Sequence, residues 1–330
     1  MSIKPLVKYF FMDSYYTAST PTRPAFEALK GSINADVCIV GAGYTGLSSA
    51  LHLAKRGYRV VVLEAETVAF GASGRNGGHV GTGQRMEQQD IERKLGHETA
   101  HCLWNMGLEA VDTVRNLILQ NAIDCDLKYG DVSFAHKLRY CEDLEADVAF
   151  FNNRYNFNDL EYIPRNRINE VIESDAYYGA LWNKAALHLH PLKYALGLAK
   201  AAMDAGVTIY ENSRVESYSG TPVVIKTDQG QVTASELILA CNGYIEGLEP
   251  KITGYIMPIN NFVIATKPLS PEVAGSLVPK DTSMADSRFV INYWKLSADN
   301  RLIFGGGENY RRGFPGDIKS FVQKYMLAVY

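Results

Sequence analysis

The segment from Asp36 to Glu64 constrains the fold of this chain more than any other. An apolar run, residues 36–40, leads into the turn sequence Gly41-Ala42-Gly43-Tyr44-Thr45-Gly46, after which apolar residues recur at helical spacing. A second apolar run, residues 60–63, ends at Glu64. This order predicts a strand, a glycine turn, a helix and a second buried strand, which is the unit that binds dinucleotides.

Each glycine of the turn has a predicted physical role. Gly41 permits the tight turn, Gly43 lets a pyrophosphate approach the backbone, and Gly46 lets the helix pack closely on the strand. The diphosphate is expected at the helix N-terminus, beside Tyr44 and Thr45, because free N–H groups and the helix dipole favour an anion there.

Glu64 is placed to accept hydrogen bonds from the ribose hydroxyls, and Ala65 follows it as a further predicted contact. A carboxylate at this position repels a 2′-phosphate, which disfavours NADP. The fingerprint alone does not separate FAD from NAD. An NAD-dependent dehydrogenase therefore stays open on residues 41–64.

A second loop of small residues, 71–78, argues for the larger cofactor. Its four glycines give a ligand access to backbone N–H groups, and it offers one hydroxyl and one cation for phosphate. A flexible surface loop without a ligand is the alternative. The predicted cofactor contacts in this loop are Ser73, Gly74, Arg75, Asn76, Gly77 and Gly78.

Residues 36–78 resemble the FAD-binding start of the D-amino-acid-oxidase-like flavoprotein family. The 71–78 loop and Ser14-Tyr15-Tyr16 resemble its γ-glutamylputrescine oxidoreductase branch. The resemblance extends weakly along nearly the whole chain. It implies FAD-dependent oxidation of an amine, γ-glutamylputrescine or a related one, by hydride transfer to the flavin N5. The products are an imine and then an aldehyde, with O₂ as the expected electron acceptor.

The resemblance also assigns later residues to the cofactor. It implies that the strand near Val215 places a backbone group against the adenine, and that small residues from Ala240 to Gly243 lie beside the dinucleotide. It implies non-covalent FAD as well, because Asn76 stands where covalently flavinylated relatives carry the linking histidine. An ordinary α/β segment with a β-hairpin is the alternative for residues 207–243.

Two predicted long-strand segments, residues 255–266 and 288–307, supply aromatic residues. In the family such a sheet covers the flavin and carries the substrate pocket. Candidate pocket residues are His79, Tyr255, Tyr293 and Trp294, whose rings could hold an alkyl amine by stacking and cation–π attraction. Aromatic residues in a sheet more often belong to the core, which is the alternative.

These elements predict an α/β fold, with a Rossmann-like FAD-binding domain and a second α+β substrate domain built on a mixed β-sheet. The expected organisation is an N-terminal arm over 1–35, an FAD-binding domain over 36–126 and 191–250, and a substrate domain over 127–190 and 251–330. Family members continue past Gly305-Gly306-Gly307 to a final glycine-rich turn. The sequence ends at Tyr330 without that turn, so weak FAD binding and slow or absent turnover are expected.

Composition limits the other classes of function. The net charge is −3, without a long basic or acidic run, which gives no electrostatic case for nucleic acid. No apolar run reaches the length of a membrane span, and five cysteines without a CxxC pair fit a reducing, cytoplasmic compartment. The oligomeric state stays open.

One further motif points to a different chemistry. Residues 97–101 read His-Glu-Thr-Ala-His, the HExxH pattern of zinc hydrolases, in which His97 and His101 share one helix face. The longer metalloprotease pattern fails at Trp104 and Gly107, so we expect no metal here. No catalytic acid or base is predicted, since hydride transfer requires a neutral amine close to the flavin rather than a dedicated base.

Overall fold

The computed structural model describes residues 14–20, 23–310 and 316–330, so the predicted arm over 1–35 lies partly outside the described residues. Helices α1 to α9 span Tyr15–Ala18, Tyr44–Lys55, Gln88–Leu95, His97–Gln120, Cys141–Tyr155, Pro191–Asp204, Pro250–Thr253, Pro271–Leu277 and Ile318–Val329. Strands β1 to β7 span Gly31–Val40, Val60–Leu63, His79–Val80, Lys128–Ala135, Leu160–Pro164, Gly179–His188 and Thr208–Tyr210. Strands β8 to β14 span Ser217–Ser219, Val223–Lys226, Gly230–Leu239, Asn260–Ala265, Ser283–Asp286, Tyr293–Leu296 and Leu302–Asn309.

A six-stranded sheet contains the first predicted unit. Its order is β7-β2-β1-β10-β9-β8, and the first four of these strands are parallel. All of β2 is buried, as expected for a strand that helices cover on both faces. Helix α2 packs against α6 over a core that includes Leu47, Leu51 and Leu198. The predicted strand, turn, helix and strand are present, although β1 begins at Gly31 rather than at Asp36.

A second sheet has eight strands in the order β11-β14-β13-β12-β4-β6-β3, and β5 pairs with β6. Strands β12 and β4 run parallel while their neighbours are antiparallel, so the sheet is mixed. Its core side carries a stack of aromatic rings that helix α9 helps to cover. The predicted fold class is therefore confirmed. The domain boundaries stay a prediction, and β3 joins this sheet from within the segment assigned to the FAD-binding domain.

The predicted long strands at 255–266 and 288–307 are shorter in the structure. Strand β11 begins after Pro258, which has no backbone N–H to contribute to a ladder. The chain between β12 and β13 is a turn, because the buried carboxylate of Asp286 accepts hydrogen bonds from the backbone N–H groups of Arg288 and Asn292. The strand predicted from Phe289 to Tyr293 is therefore absent before Tyr293, where β13 begins.

Candidate functional site

A cleft with about 760 Å³ of empty space lies at the carboxyl ends of the parallel strands β1 and β2. This edge of an open α/β sheet is where such folds bind ligands. The predicted residues that line the cleft are Gly41, Gly43, Glu64, Ala65, Ser73 and Ala240. The structure thus brings both glycine turns and the end of β10 to one place.

The first glycine turn leaves no room for side chains. Gly41 has a positive φ of 107°, and a Cβ built there would lie 2.7 Å from the carbonyl oxygen of Ala240. A Cβ on Gly46 would overlap the carbonyl oxygen of Gly41, so helix α2 packs directly on the turn. Gly43 precedes α2, and its absent Cβ would lie 2.8 Å from the Ser73 hydroxyl oxygen. The start of helix α2 therefore borders the cleft, with Tyr44 and Thr45 as its first residues.

Glu64 is held at the cleft by backbone donors. Its Oε2 accepts a hydrogen bond from the N–H of Ala42 at 2.8 Å, and its Oε1 accepts one from the N–H of Glu66 at 3.0 Å. Burial raises the pKa of this carboxyl, while those backbone hydrogen bonds oppose the rise. Each carboxylate oxygen has a second lone pair, so Glu64 can also accept a ribose hydroxyl.

The second loop is fixed by its own side chains. The Ser73 hydroxyl accepts a hydrogen bond from the N–H of Tyr44 at 3.0 Å. The Asn76 amide donates to the carbonyl oxygens of Ala72 and Ser73 at 3.1 Å, and its oxygen accepts from the N–H of Gly78 at 2.7 Å. The loop is therefore built against the start of helix α2 and is not a loose surface segment.

Arg75 contacts Phe70, and its role as a phosphate cation stays a prediction. Its Nε donates to the carbonyl oxygen of Phe70 at 2.7 Å, and the guanidinium lies 4.7 Å from the centre of the Phe70 ring. Arg214 lines the cleft and forms ion pairs with Glu66 at 3.3 Å and Glu246 at 3.6 Å. Sequence reasoning missed Arg214, although it precedes the predicted contact Val215.

The end of the second loop reaches the eight-stranded sheet. A Cβ on Gly74 would overlap the carbonyl oxygen of Ala69, and one on Gly78 would overlap that of Leu189. A Cβ on Gly77 would lie 2.7 Å from the ring of Tyr293 and 2.8 Å from Nδ1 of His79. The loop that the sequence assigns to the cofactor thus contacts two residues that it assigns to the substrate.

Tyr293 and His79 form one group at this contact. Their rings meet edge to face with centroids 5.7 Å apart, and the Tyr293 hydroxyl donates to Oδ1 of Asn261 at 2.6 Å. Nε2 of His79 lies 3.2 Å from the carbonyl oxygen of Met284. Burial lowers the pKa of His79, which favours the neutral imidazole, and raises the pKa of Tyr293 to about 12.

The prediction that Trp294 lines the substrate pocket was wrong. Trp294 is fully buried, stacks on Phe134 and Phe304, and donates its indole N–H to the Tyr330 hydroxyl at 2.9 Å. Because neighbouring residues of a strand face opposite sides, Trp294 enters the core where Tyr293 does not. Tyr255 lies in a turn with 91% of its surface exposed, and its place in the substrate pocket stays a prediction.

The predicted contacts in the second half of the chain are only partly at the cleft. Ala240 lines it, as do the neighbouring Cys241 and Asn242. Val215 precedes β8 rather than lying in a strand, and its side chain is buried in the core. Gly243 sits in a short 3₁₀ helix, Asn242–Tyr244, whose other two residues line the cleft.

The HExxH histidines have ordinary surface surroundings. His97 lies 3.4 Å from the carboxylate of Glu92, and the ring of His101 stacks on Tyr155 at a centroid distance of 5.5 Å. Within residues 14–20, 23–310 and 316–330, no group of three or more His, Cys, Asp or Glu side chains is placed to hold a metal ion. In the same ranges no helix is long and apolar enough to cross a membrane.

Comparison with known proteins decides the family. The model of the FAD dependent oxidoreductase family, DAO, matches residues 36–328. The chain belongs to this family of FAD-dependent oxidoreductases. It is 40% identical to γ-glutamylputrescine oxidoreductase of Escherichia coli K12 over 96% of this chain and 75% of that protein. It is 38% identical to a probable oxidoreductase, OrdL, of Rhizobium meliloti over 96% of this chain and 74% of that one.

The fold of this FAD-dependent oxidoreductase is also found in solved structures. Glycine oxidase from Geobacillus kaustophilus aligns with a TM-score of 0.70 and 20% identity, covering 90% of this chain and 78% of that one. The FAD that the family implies fits the cleft: the bare turn at Gly41 and Gly43 accommodates a diphosphate, and Glu64 accommodates a ribose. The enzyme is an FAD-dependent oxidoreductase.

Proposed function

We propose that this enzyme oxidises γ-glutamylputrescine, or a closely related aliphatic amine, with non-covalently bound FAD. The observation that carries the proposal is the contact of Gly77 with Tyr293 and His79. It makes the predicted cofactor loop and the half-buried side chains of the second sheet parts of one site. The relative from Escherichia coli, which bears this substrate in its name, supports the same chemistry.

The bound FAD would supply a hydride acceptor, so that the carbon beside the amine nitrogen becomes an imine carbon and water then releases an aldehyde. The residues of this chain bind and orient the reactants. Glu64 and the turn at Gly41 and Gly43 hold the dinucleotide, while Tyr293 presents an aromatic wall to an alkyl chain. We assign no acid or base, because the neutral amine is itself the reactive form.

The non-covalent attachment rests on Asn76. Its amide is occupied with Ala72, Ser73 and Gly78, and it offers no nucleophile for a bond to the flavin. Acid precipitation of the purified protein should release all flavin into the supernatant. Colour that stays with the pellet would contradict this and direct attention to His79 or to Cys241 at the cleft.

The substrate is tested by comparing turnover of γ-glutamylputrescine with that of D-alanine, glycine and sarcosine. We expect the longer amine to be preferred, and O₂ consumption to accompany its oxidation. Turnover of γ-glutamylputrescine no faster than that of the amino acids would contradict the substrate assignment. Whichever amine is preferred, we expect the purified protein to show flavin absorption and its activity not to require added NAD. A cytoplasmic location stays a prediction.

A further inference from the structure

The eight-stranded sheet is apolar on one face and polar on the other. The apolar face has a row of directly paired residues in the core, Val132, Met284, Trp294 and Phe304. One position along, Asp131 is paired with Asn183 on one side and with Ser283 on the other. Since side chains alternate along a strand, these three polar residues lie on the opposite face, as does Tyr293.

Asp131 is the acidic side chain of this polar face. The Ser283 hydroxyl donates a hydrogen bond to its Oδ1 at 2.6 Å, and no Lys or Arg of the described residues forms an ion pair with it. The titratable neighbour is His79, which burial keeps toward its neutral form. The carboxyl is half-buried, and burial raises its pKa. A carboxylate that is partly removed from water without a counter-ion is costly, and a bound cation offsets that cost.

The position of Asp131 connects it to the cofactor loop. His79, its electrostatic neighbour, follows directly after Gly77 and Gly78, and the ring of His79 meets that of Tyr293. Asp131 and Tyr293 thus lie on the same face of the sheet, and His79 is a neighbour of both. A carboxylate and an aromatic face are both complementary to an alkylammonium ion.

Building on the proposed function, we propose that Asp131 binds the ammonium group of the substrate and thereby selects amines that carry no carboxylate beside the reacting nitrogen. An α-amino acid places its own carboxylate next to the nitrogen, so like charges would oppose each other at Asp131. An aliphatic amine has no carboxylate beside its nitrogen, so only its positive charge lies near Asp131. Asp131 is a binding residue in this assignment: the substrate is bound as the ammonium ion, and its proton passes to water before the neutral amine reacts.

The test uses probes that cannot react. In tert-butylammonium the carbon beside nitrogen has no hydrogen, so no hydride can leave, and pivalate has the same shape with the opposite charge. Calorimetric titration of the FAD-loaded wild-type protein should show tert-butylammonium binding at least about tenfold more tightly than pivalate, the factor that corresponds to roughly 1.4 kcal/mol. Equal affinities, or no binding of the cation, would overturn the proposal.

The variant Asp131→Asn keeps an acceptor for Ser283 and removes the charge. It should bind tert-butylammonium at least about tenfold more weakly than the wild type, with unchanged FAD content. Asp112→Asn makes the same change in net charge on the exposed side of α4, where Asp112 pairs with Arg115, and should leave the dissociation constant unchanged. An unchanged dissociation constant in Asp131→Asn would refute the assignment.

Two readouts separate this inference from the proposed function. If the wild type oxidises no amine, the proposed function fails, while the tert-butylammonium titrations of the wild type and of Asp131→Asn still decide the role of Asp131. If amines are oxidised and Asp131→Asn binds the cation as the wild type does, only the role of Asp131 fails. Should Asp131→Asn not retain FAD, both proteins are titrated without FAD, and equal affinities for tert-butylammonium would overturn the proposal.

Discussion

The cleft of the six-stranded sheet and the polar face of the eight-stranded sheet are built in different ways. At the cleft, the shape is set by the missing side chains of Gly41, Gly43 and Gly46 and by backbone N–H groups. At the polar face, the chemistry comes from side chains on separate strands, Asp131 and Tyr293 among them. A site formed by backbone groups depends on a short continuous stretch of sequence. A site formed by side chains from several strands depends on the register in which those strands pair.

The largest expected effect is the loss of FAD after a substitution in the glycine turn of the cleft. This substitution leaves the polar face of the second sheet unchanged. Gly43→Val places a branched side chain where the absent Cβ already meets the Ser73 hydroxyl at 2.8 Å, in the space needed by the diphosphate. We expect the FAD content of the purified variant to fall at least about tenfold while the chain stays folded. Gly275→Val, where a Cβ meets open space, is the control for folding. Parental FAD content in Gly43→Val would show that this turn does not hold the cofactor.

The next effect concerns the apolar side of the second sheet. Trp294→Ala should lower the free energy of unfolding by about 3–5 kcal/mol, because it leaves a cavity between Phe134 and Phe304. Urea denaturation measures this, and Trp294→Phe, which keeps an aromatic ring, should lose less. The KM for the amine should stay unchanged in the folded fraction of Trp294→Ala. A severalfold change in KM with an unchanged free energy of unfolding would show that Trp294 contacts the substrate after all.

A moderate effect on the free energy of unfolding is expected at Lys295. This side chain is buried between the two sheets and donates a hydrogen bond to the carbonyl oxygen of Leu189. Burial lowers the pKa of Lys295 to about 7, whereas the unfolded chain keeps the proton up to its ordinary value of 10.5. Between these values the unfolded state binds more protons, so the free energy of unfolding rises with pH. Lys295→Met should therefore raise stability by about 1–3 kcal/mol at pH 6 and by less at pH 9.

Urea denaturation of Lys295→Met and wild type at both pH values measures this difference. Lys200→Met, in which the replaced side chain is exposed on α6, should show no such dependence on pH. A stability difference for Lys295→Met that is equal at pH 6 and pH 9 would mean that the buried amine does not titrate in this range.

The smallest effect is expected at Tyr255. This side chain is almost fully exposed, so Tyr255→Ala should change the free energy of unfolding by less than about 0.5 kcal/mol and leave FAD content and amine KM unchanged. Tyr293→Ala, assayed in parallel, should raise the amine KM because it removes the ring beside His79. A severalfold rise in KM for Tyr255→Ala would place this residue over the substrate during turnover.

Much of the fold could be predicted because its signals are local. The sequence predicts a short helix over residues 318–329, where α9 lies, and one long helix or two in succession over residues 91–123, where the structure has α3 and α4. The glycine after α2, Gly57, has the positive φ of 90° that a helix-terminating glycine adopts. Short-range periodicity and glycine geometry decide such features within a few residues of chain.

The candidate site was predicted unevenly for the same reason. By itself the sequence determined the βαβ unit, the glycine turns and Glu64, because backbone conformation and helix capping depend on adjacent residues. Only the tertiary structure decided that Tyr293 faces the polar side while Trp294 enters the core, and that His79 and Asp131 lie together. Those outcomes depend on the register of strands distant in sequence, and a shift of one residue would turn every side chain to the other face.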